Sequence, residues 1–411
     1  MTKKYSFKCL WIGQSLANCG DVFYIVGLMT VVYAVTKSAI FMTVIPFLTT
    51  FIRFISGIFA PLILNKLGLK GSLVSSQIGK SFFLLFMALT LTFHIFGPNF
   101  LIMFFFVACI SFLDGWASPA RNAMVPMLID QDRLVKANGF LSILDQSINL
   151  SGWALGGMLA ALIGGSNIVW TTFFLFVIST IFMFMIKIDT SINASKNNNS
   201  SARKFEVMRE GWHAIWHKPV LRIISITDMI GTLASVVWMA AIVLVFVHQA
   251  LHVNESWWGF INFSFFAGLI IGGLISVRLS NHINKHLKIV SLVGLFMTGI
   301  ATMLFGWNTF PLLALIFSAV VGIFDQLKNV TFETLIQTNT KSDLLAKVYS
   351  AQDAMYSLSY GIATLFFGYL TDKIGVQFVF TLSSALLFTS FIYVIGSKNY
   401  LVKPENVRVD E

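Results

Sequence analysis

Long apolar stretches, separated by short polar segments, follow one another along almost the whole chain. About twelve of them are long enough to cross the hydrocarbon core of a bilayer, which takes roughly 20 helical residues. Backbone polar groups in lipid need internal hydrogen bonds, so each stretch is expected to be helical. The pattern predicts an all-α membrane protein with twelve transmembrane helices, at about residues 10–35, 39–64, 72–96, 100–128, 138–163, 168–187, 220–248, 257–280, 288–307, 311–337, 350–370 and 375–396.

Composition supports this prediction and argues against several kinds of site. Hydrophobic residues make up 56% of the 411 residues and charged residues only 11%, which is not typical of a water-soluble domain. Cys9, Cys19 and Cys109 have neither metal-ligand spacing nor the even count of a disulfide framework. Histidine pairs at i, i+4 lack a third ligand nearby, and no Gly-x4-Gly-Lys-Ser/Thr phosphate loop occurs. We therefore expect no metal, no cofactor and no ATPase activity.

The basic residues indicate how the chain is oriented. With the N-terminus in the cytoplasm, Lys37 and Lys373 fall in outer loops, whereas Arg53, Lys80 and Lys328 fall inside spans. The other Lys and Arg residues then lie in cytoplasmic segments or at membrane edges, as the positive-inside rule requires. The net charge of +10 is therefore attributed to topology and anionic lipid, not to a nucleic-acid partner. We expect a multi-pass protein of the cell membrane with both termini in the cytoplasm.

The longest hydrophilic segment separates spans six and seven. Its Asn- and Ser-rich first half is typical of a flexible linker. Its second half spaces Phe205, Met208, Trp212 and Ile215 on one face, which predicts an amphipathic helix at the membrane surface. The predicted domains are a six-helix bundle at 1–188, a cytoplasmic linker with this helix at 189–218, a second six-helix bundle at 219–398 and a cytoplasmic tail at 399–411.

The two six-helix halves are related by a weak internal repeat. One shift of the sequence superposes Asp114 on Asp325, Lys136 on Lys347 and Gly157 on Gly368. Few positions match, but hydropathy, loop lengths and the charged loops after spans four and ten coincide under the same shift. Transporters with two such halves hold substrate between them, near the bilayer midplane. We therefore expect two six-helix pseudo-repeats around a central cavity.

Four segments of the chain are distinctive: "WIGQSLANCGD", "SPARNAMVPMLIDQDRLVKANG", "FEVMREGWHAIWHKPVLR" and "FFGYLTDKIG". They resemble the major facilitator superfamily, and within it the drug:proton antiporter branch that includes macrolide efflux proteins and the enterobactin exporter. The likeness covers nearly the whole chain and implies that fold, with the cavity lined by spans one, four, seven and ten. It also implies a transporter and not an enzyme.

The chain also departs from motifs of that family. The loop after span two has Asn65 where an acidic residue is usual, and Ile110 stands where an arginine is expected in span four. The antiporter pattern of span five reads "GWALGG", with Trp153 in place of proline and with Gly152, Gly156 and Gly157 retained. These glycines permit close helix approach, either as ordinary packing or as a gating hinge.

Charged residues inside the spans are the main candidates for function. A charge at mid-bilayer costs about 2.5–3.5 kcal/mol on insertion scales, so such residues face a cavity or a partner. A carboxylate there can take up and release a proton as its surroundings change. The proton-coupling candidates are Asp21, Asp114, Asp228 and Asp325, and Arg53 and Lys328 are their charge partners.

Depth and spacing rank these candidates. Asp114 and Asp325 lie about 14 residues into their spans, near mid-depth at 1.5 Å per residue, and are the first choices. Lys328 follows Asp325 at i+3, close enough to pair with it. The alternative is that such pairs only lock helices together, which we expect most of all for Lys80, Asp145 and Glu333.

Tryptophans in or near the cavity-lining spans are candidates for substrate contact: Trp116, Trp153 and Trp238. An apolar cavity with aromatic walls and a few charges suits a bulky amphiphilic compound. The alternative is that they pack between helices or against lipid, as most aromatic residues of such a protein do.

Together these features predict a secondary active transporter that exports amphiphilic small molecules, drug-like or siderophore-like, by proton antiport with alternating access. Only the family resemblance favours export. An importer, a lipid or metabolite facilitator of the same fold and a non-transporting membrane sensor remain alternatives. The expected partners are the substrate, protons and the lipid bilayer, and we expect the chain to function as a monomer.

Overall fold

The computed structural model describes residues 3–36, 39–93, 101–187, 201–238 and 240–397, and these are helical almost throughout. Short 3-10 turns lie at Gln131–Arg133 and Val236–Trp238. The helices are α1 (Lys3–Thr36), α2 (Ala39–Phe93), α3 (Leu101–Asp114), α4 (Ala117–Leu128), α5 (Leu134–Ile163), α6 (Gly165–Phe184), α7 (Ser201–His217), α8 (Pro219–Ser235), α9 (Ala240–Gln249), α10 (Ser256–Arg278), α11 (Ser280–Lys285), α12 (Leu287–Gly306), α13 (Pro311–Asn339), α14 (Ser342–Ile374) and α15 (Val376–Gly396).

The helices account for the predicted spans and confirm the all-α membrane fold. Within the described residues, nine helical stretches are long and apolar enough to cross a membrane. One of them, Val44–Phe93, has 50 residues and contains spans two and three. Helices α5 and α14 coincide with spans five and eleven. The polar linker also contains a helix, α7, as its amphipathic pattern predicts.

Glycines with positive φ make the tight turns between consecutive helices. Gly68 divides α2 with φ 69° and ψ 174°, a conformation that residues with a Cβ rarely adopt. Gly164 (φ 83°, ψ 152°) precedes α6 and Gly375 (φ 99°, ψ 156°) precedes α15. The shift that superposes Asp114 on Asp325 also superposes Gly164 on Gly375. The two halves therefore share this turn geometry as well as their hydropathy.

The chain forms two compact units. Unit one contains Met1–Ile129, Ser147–His213 and Ser342–Ser357, and unit two contains Asp130–Gln146, Ala214–Lys341 and Leu358–Glu411. Helix α5 therefore passes from unit two to unit one at Ser147, and α14 passes from unit one to unit two at Leu358. The predicted division at 188 and 398 falls outside the described residues and stays a prediction.

In unit one, a stripe of glycines brings α1 close to α6. Gly13, Gly20 and Gly27 recur every seven residues, so they share one helix face. A Cβ on Gly20 would lie 2.6 Å from the ring of Phe176, and a Cβ on Gly165 would lie 2.6 Å from the carbonyl oxygen of Gly27. Larger residues at these positions would push the two helices apart.

In unit two, α10 and α13 touch through their backbones. A Cβ on Gly268 would lie 2.2 Å from the carbonyl oxygen of Ala319, and one on Gly322 would lie 2.3 Å from that of Phe265. Gly272 is equally crowded, since a Cβ there would lie 2.5 Å from the Ile323 oxygen. Neither helix can tolerate a side chain at this contact without moving.

We expect Gly268→Ala to destabilise the protein by about 1–3 kcal/mol, because the added methyl group overpacks a backbone contact. Gly259→Ala is the matched control, since it lies on the same helix and has no atom within 4 Å of its Cβ position. Thermal unfolding of detergent-solubilised protein, followed by tryptophan fluorescence, should give a lower midpoint for Gly268→Ala only. Equal midpoints for both variants would contradict the close contact of α10 and α13.

Candidate functional site

Charged side chains from three helices meet within unit one. The group, called cluster one below, consists of Asp21 on α1, Arg53 and Lys80 on α2, and Asp114 at the end of α3. Lys80 Nζ lies 2.8 Å from Asp21 Oδ1 and 2.9 Å from Asp114 Oδ1. Arg53 Nη2 lies 2.5 Å from Asp114 Oδ2. Two cations therefore balance two carboxylates, and Asp114 contacts both cations.

Burial differs strongly between the two cations. The Lys80 side chain is only 2% exposed, whereas that of Arg53 is 41% exposed. The ring of Phe176 on α6 lies 4.7 Å from Lys80 Nζ, where its face attracts a cation. Gly20 allows that ring position, because a Cβ there would collide with Phe176. Lys80 is thus fixed on three sides, whereas Arg53 reaches an accessible surface.

A break in the helix places Asp114 in this cluster. Gly115 and Trp116 interrupt the helical run between α3 and α4, which leaves preceding carbonyls without their usual helical donors. Ser56 Oγ donates to the Phe112 carbonyl at 2.5 Å, and Ser76 Oγ donates to the Leu113 carbonyl at 2.7 Å. A Cβ on Gly115 would lie 2.4 Å from Ser56. The break therefore depends on two serines of α2 and on the absence of a side chain at Gly115.

A second group of charges lies within unit two. Cluster two consists of Asp228 on α8 and Asp325, Lys328 and Glu333 on α13. Lys328 Nζ lies 2.6 Å from Asp325 Oδ1, and Asn329 Nδ2 donates to Asp325 Oδ2 at 2.9 Å. Both carboxylate oxygens of Asp325 are therefore satisfied from its own helix.

Asp228 is held less firmly than Asp325. Its carboxylate is within electrostatic reach of Lys328, Asp325 and Glu333. Among the residues that the structure describes, no hydrogen bond or ion pair is formed by that carboxylate. Lys328 thus faces two carboxylates, Asp228 and Asp325, and forms its ion pair with Asp325.

Two glycines make room for the buried Lys328 side chain. A Cβ on Gly231 of α8 would lie 3.9 Å from Lys328 Nζ, so the ammonium group lies against the backbone of α8. A Cβ on Gly294 of α12 would lie 2.9 Å from Lys328 Cβ. These contacts hold Lys328 between α8 and α12, three residues along α8 from Asp228.

The structure brings most of the sequence-predicted residues together. Arg53 and Lys328 were expected as charge partners, and they contact Asp114 and Asp325 respectively. Lys80 was expected mainly to lock helices together, and it joins α1 to α3 by contacting both Asp21 and Asp114. The sequence did not identify these partners; its only signal was a lysine in a span of a protein whose other embedded charges are mostly aspartates.

The predicted substrate-contacting tryptophans lie in different surroundings. Trp116 is 5% exposed and its Nε1 donates to the Ser72 carbonyl at 3.1 Å. Trp238 stacks on Phe265 at 5.6 Å and packs on Phe305 at 4.6 Å. The side chain of Trp153 lies outside the described residues. Substrate contact by these tryptophans stays a prediction.

The glycines of span five pack against α1. A Cβ on Gly152 would lie 3.0 Å from Val22, and one on Gly156 would lie 3.3 Å from Val26. Gly157 lies outside the residues whose surroundings are described. Gating by these glycines stays a prediction. In the described parts of the chain, no group of three His, Cys, Asp or Glu side chains could hold a metal ion.

Comparison with known proteins gives the family. The model of the Major Facilitator Superfamily matches residues 10–359 and 229–407. The chain is 31% identical over 383 residues to the uncharacterized MFS-type transporter YfmI of Bacillus subtilis (strain 168), covering 92% of this chain and 93% of YfmI. It is 23% identical over 284 residues to macrolide efflux protein A of Streptococcus pyogenes, covering 66% of each chain.

A solved structure gives the same fold. The human organic anion transporter MFSD10 (TETRAN) superposes with a TM-score of 0.78 at 12% identity, over 96% of this chain and 100% of that chain. At this identity the likeness concerns the fold alone. The family match covers nearly the whole chain and, with this fold, identifies a multi-pass membrane protein. The chain belongs to the major facilitator superfamily of transporters.

Proposed function

We propose that the protein exports amphiphilic small molecules in exchange for protons. The observation that carries the proposal is the unequal compensation of the embedded carboxylates. Asp114 contacts two cations and Asp325 contacts a lysine and an amide. By contrast, within the described residues, Lys80 is the one cation that contacts Asp21 and it is shared with Asp114, and Asp228 has no ion-pair contact.

This difference assigns separate roles to the four aspartates. A carboxylate held by two charge-assisted bonds keeps its negative charge, so Asp114 and Asp325 act as fixed anchors for Lys80 and Lys328. A carboxylate with less compensation is one that can bind and release a proton during transport. Asp21 and Asp228 are therefore the proton carriers, one in each unit.

The class of cargo follows from the same charges and from the relatives. In cluster two, Asp228 and Asp325 share one lysine, Lys328, which favours a cationic group on the cargo. Trp238 and Phe265, which stack on each other and are only partly buried, offer an apolar surface for the rest of the molecule. Macrolide efflux protein A is a relative whose name gives both a cargo and an outward direction. We take export across the cell membrane, by a monomer with cytoplasmic termini, as the working function.

We expect Asp21→Asn and Asp228→Asn each to reduce substrate-induced proton movement at least tenfold, because an amide cannot carry the exchanged proton. The measurement uses purified protein in proteoliposomes with an imposed pH gradient and an entrapped pH-sensitive dye. Macrolides, cationic dyes and siderophores are screened with the wild-type protein first. Asp372→Asn, at an exposed aspartate near the end of α14, is the matched control and should behave as wild type.

The other outcomes separate the alternatives. Substrate flux without proton movement in wild type would exclude proton antiport and indicate a facilitator. Binding without flux would indicate a sensor, and proton movement in the same direction as substrate would indicate an importer. Unchanged proton movement in both variants would overturn the assignment of Asp21 and Asp228.

We expect Lys80→Met to destabilise the protein by about 3–5 kcal/mol, since removing one partner of a buried ion pair leaves uncompensated charge. Adding Asp21→Asn should restore part of this loss, because Asp114 still has Arg53 whereas Asp21 no longer carries a charge. Thermal unfolding midpoints in detergent test both variants, with exposed Lys373→Met as control. Additive losses in the double variant would show that Lys80 and Asp21 do not interact energetically.

A further inference from the structure

A column of polar side chains leads along α1 to cluster one. Gln14, Asn18 and Asp21 are spaced i, i+4 and i+7, so they lie on one face of the helix. Gln14 Nε2 donates to Asn18 Oδ1 at 2.7 Å. The amide groups therefore extend the polar surface from Asp21 by about two helical turns, towards the end at which α1 begins.

Helix α2 contributes a buried amide to the same region. Gln77 lies three residues before Lys80 and is 2% exposed. Its Nε2 has no hydrogen-bond partner among the described residues, and neither has the buried Oε1 atom of Gln14. A buried donor and a buried acceptor left unpaired are costly, and internal water is the usual way in which such groups are satisfied.

The contact between Lys80 and Asp21 aligns the two columns. Helix α1 and the 69–93 segment of α2 are the first and third spans, so they cross the membrane in the same direction. Gln77 lies one turn before Lys80 on α2, and Asn18 lies one turn before Asp21 on α1. The two amides are therefore expected at the same depth in the membrane. One turn forward, the surroundings are mainly apolar: Tyr24 and Leu28 of α1 and Leu84 of α2 belong to one buried hydrophobic cluster, in which Tyr24 carries a hydroxyl group.

Polar groups thus lie on one side of cluster one and a packed, mainly apolar cluster lies on the other. Besides the members of cluster one, the titratable groups within electrostatic reach of Arg53 are Asp353 and the Tyr24 hydroxyl. Neither of these lies on the column itself. Along α1, Asp21 therefore has polar groups towards the helix start and mainly apolar side chains in the opposite direction, while Arg53 connects the cluster to an accessible surface.

We propose that Gln14, Asn18 and Gln77 bind a chain of internal water molecules that connects Asp21 to the membrane face at which α1 begins. This inference rests on the proposed proton coupling, because it supplies a route from the start of α1 by which Asp21 exchanges its proton. The glutamines are positioning residues for water and do not carry the proton themselves.

The test compares substitutions of Gln77 that differ in the room they leave for water. Gln77→Leu fills the site with hydrocarbon and removes an unpartnered amide, so the thermal midpoint should stay or rise while pH-driven flux falls at least tenfold. Gln77→Ser leaves space and a hydroxyl group, so flux should stay within about threefold of wild type although packing is lost. Stability and proton-driven flux then change in opposite directions, which a merely structural role would not produce.

Two further measurements isolate the proton step. The first is the exchange of labelled for unlabelled erythromycin across the membrane, which needs no net proton movement and should be unchanged in Gln77→Leu. If the wild-type protein moves protons only with ethidium, that dye replaces erythromycin. The matched control is Thr90→Val, which removes a buried hydroxyl group from the same helix beyond the apolar side of Lys80. It should leave pH-driven flux unchanged.

Each remaining result overturns the inference in an identifiable way. Wild-type pH-driven flux in Gln77→Leu would show that no water at this residue is needed. Equal loss of exchange and of pH-driven flux would make Gln77 a substrate contact. Equal loss in Thr90→Val would show that any buried polar group of α2 matters. A wild-type protein that moves no protons refutes the proposed function itself, and the proton route with it.

Discussion

The cost of placing charge where water is scarce determines the arrangement of this protein. Arg53, Lys80 and Lys328 each contact a carboxylate, and the contacts of Arg53 and Lys80 also join α2 to neighbouring helices. Lys80 joins α1, α2 and α3, because its ammonium group is compensated only where all three helices meet. The packing of unit one and the ionisation of its aspartates therefore depend on the same contacts. A substitution in cluster one changes both together.

The helices themselves could be predicted from the sequence because their cause is local. A bilayer forces each apolar stretch into a helix, so hydropathy alone gave the number and approximate bounds of the spans. The pair Asp325–Lys328 could also be predicted from the sequence, since both residues lie on one helix at i, i+3. Turn positions were also encoded locally, as Gly68 and Gly164 show by their positive φ.

The partners in cluster one could not be predicted in the same way. Lys80 meets Asp21 across 59 positions and Asp114 across 34 positions of sequence. Hydropathy gives the depth of such residues in the bilayer, but not the rotation of each helix about its axis. That rotation depends on contacts such as Gly20 with Phe176, which only the packed structure reveals. The sequence thus indicated which charged residues lie inside the bilayer, whereas the packing of the helices determines which of them form ion pairs with one another.

The two clusters are not copies, although the halves share a repeat. The shift that superposes Asp114 on Asp325 places Lys80 on Ser291 and Asp228 on Ala17. One carboxylate position is common, and the cations that hold it come from different helices. In the proposed mechanism, a proton on Asp21 makes cluster one positive, and a proton on Asp228 makes cluster two less negative. Either step weakens the attraction for a cationic cargo, so proton and cargo binding oppose each other through linkage, as exchange requires.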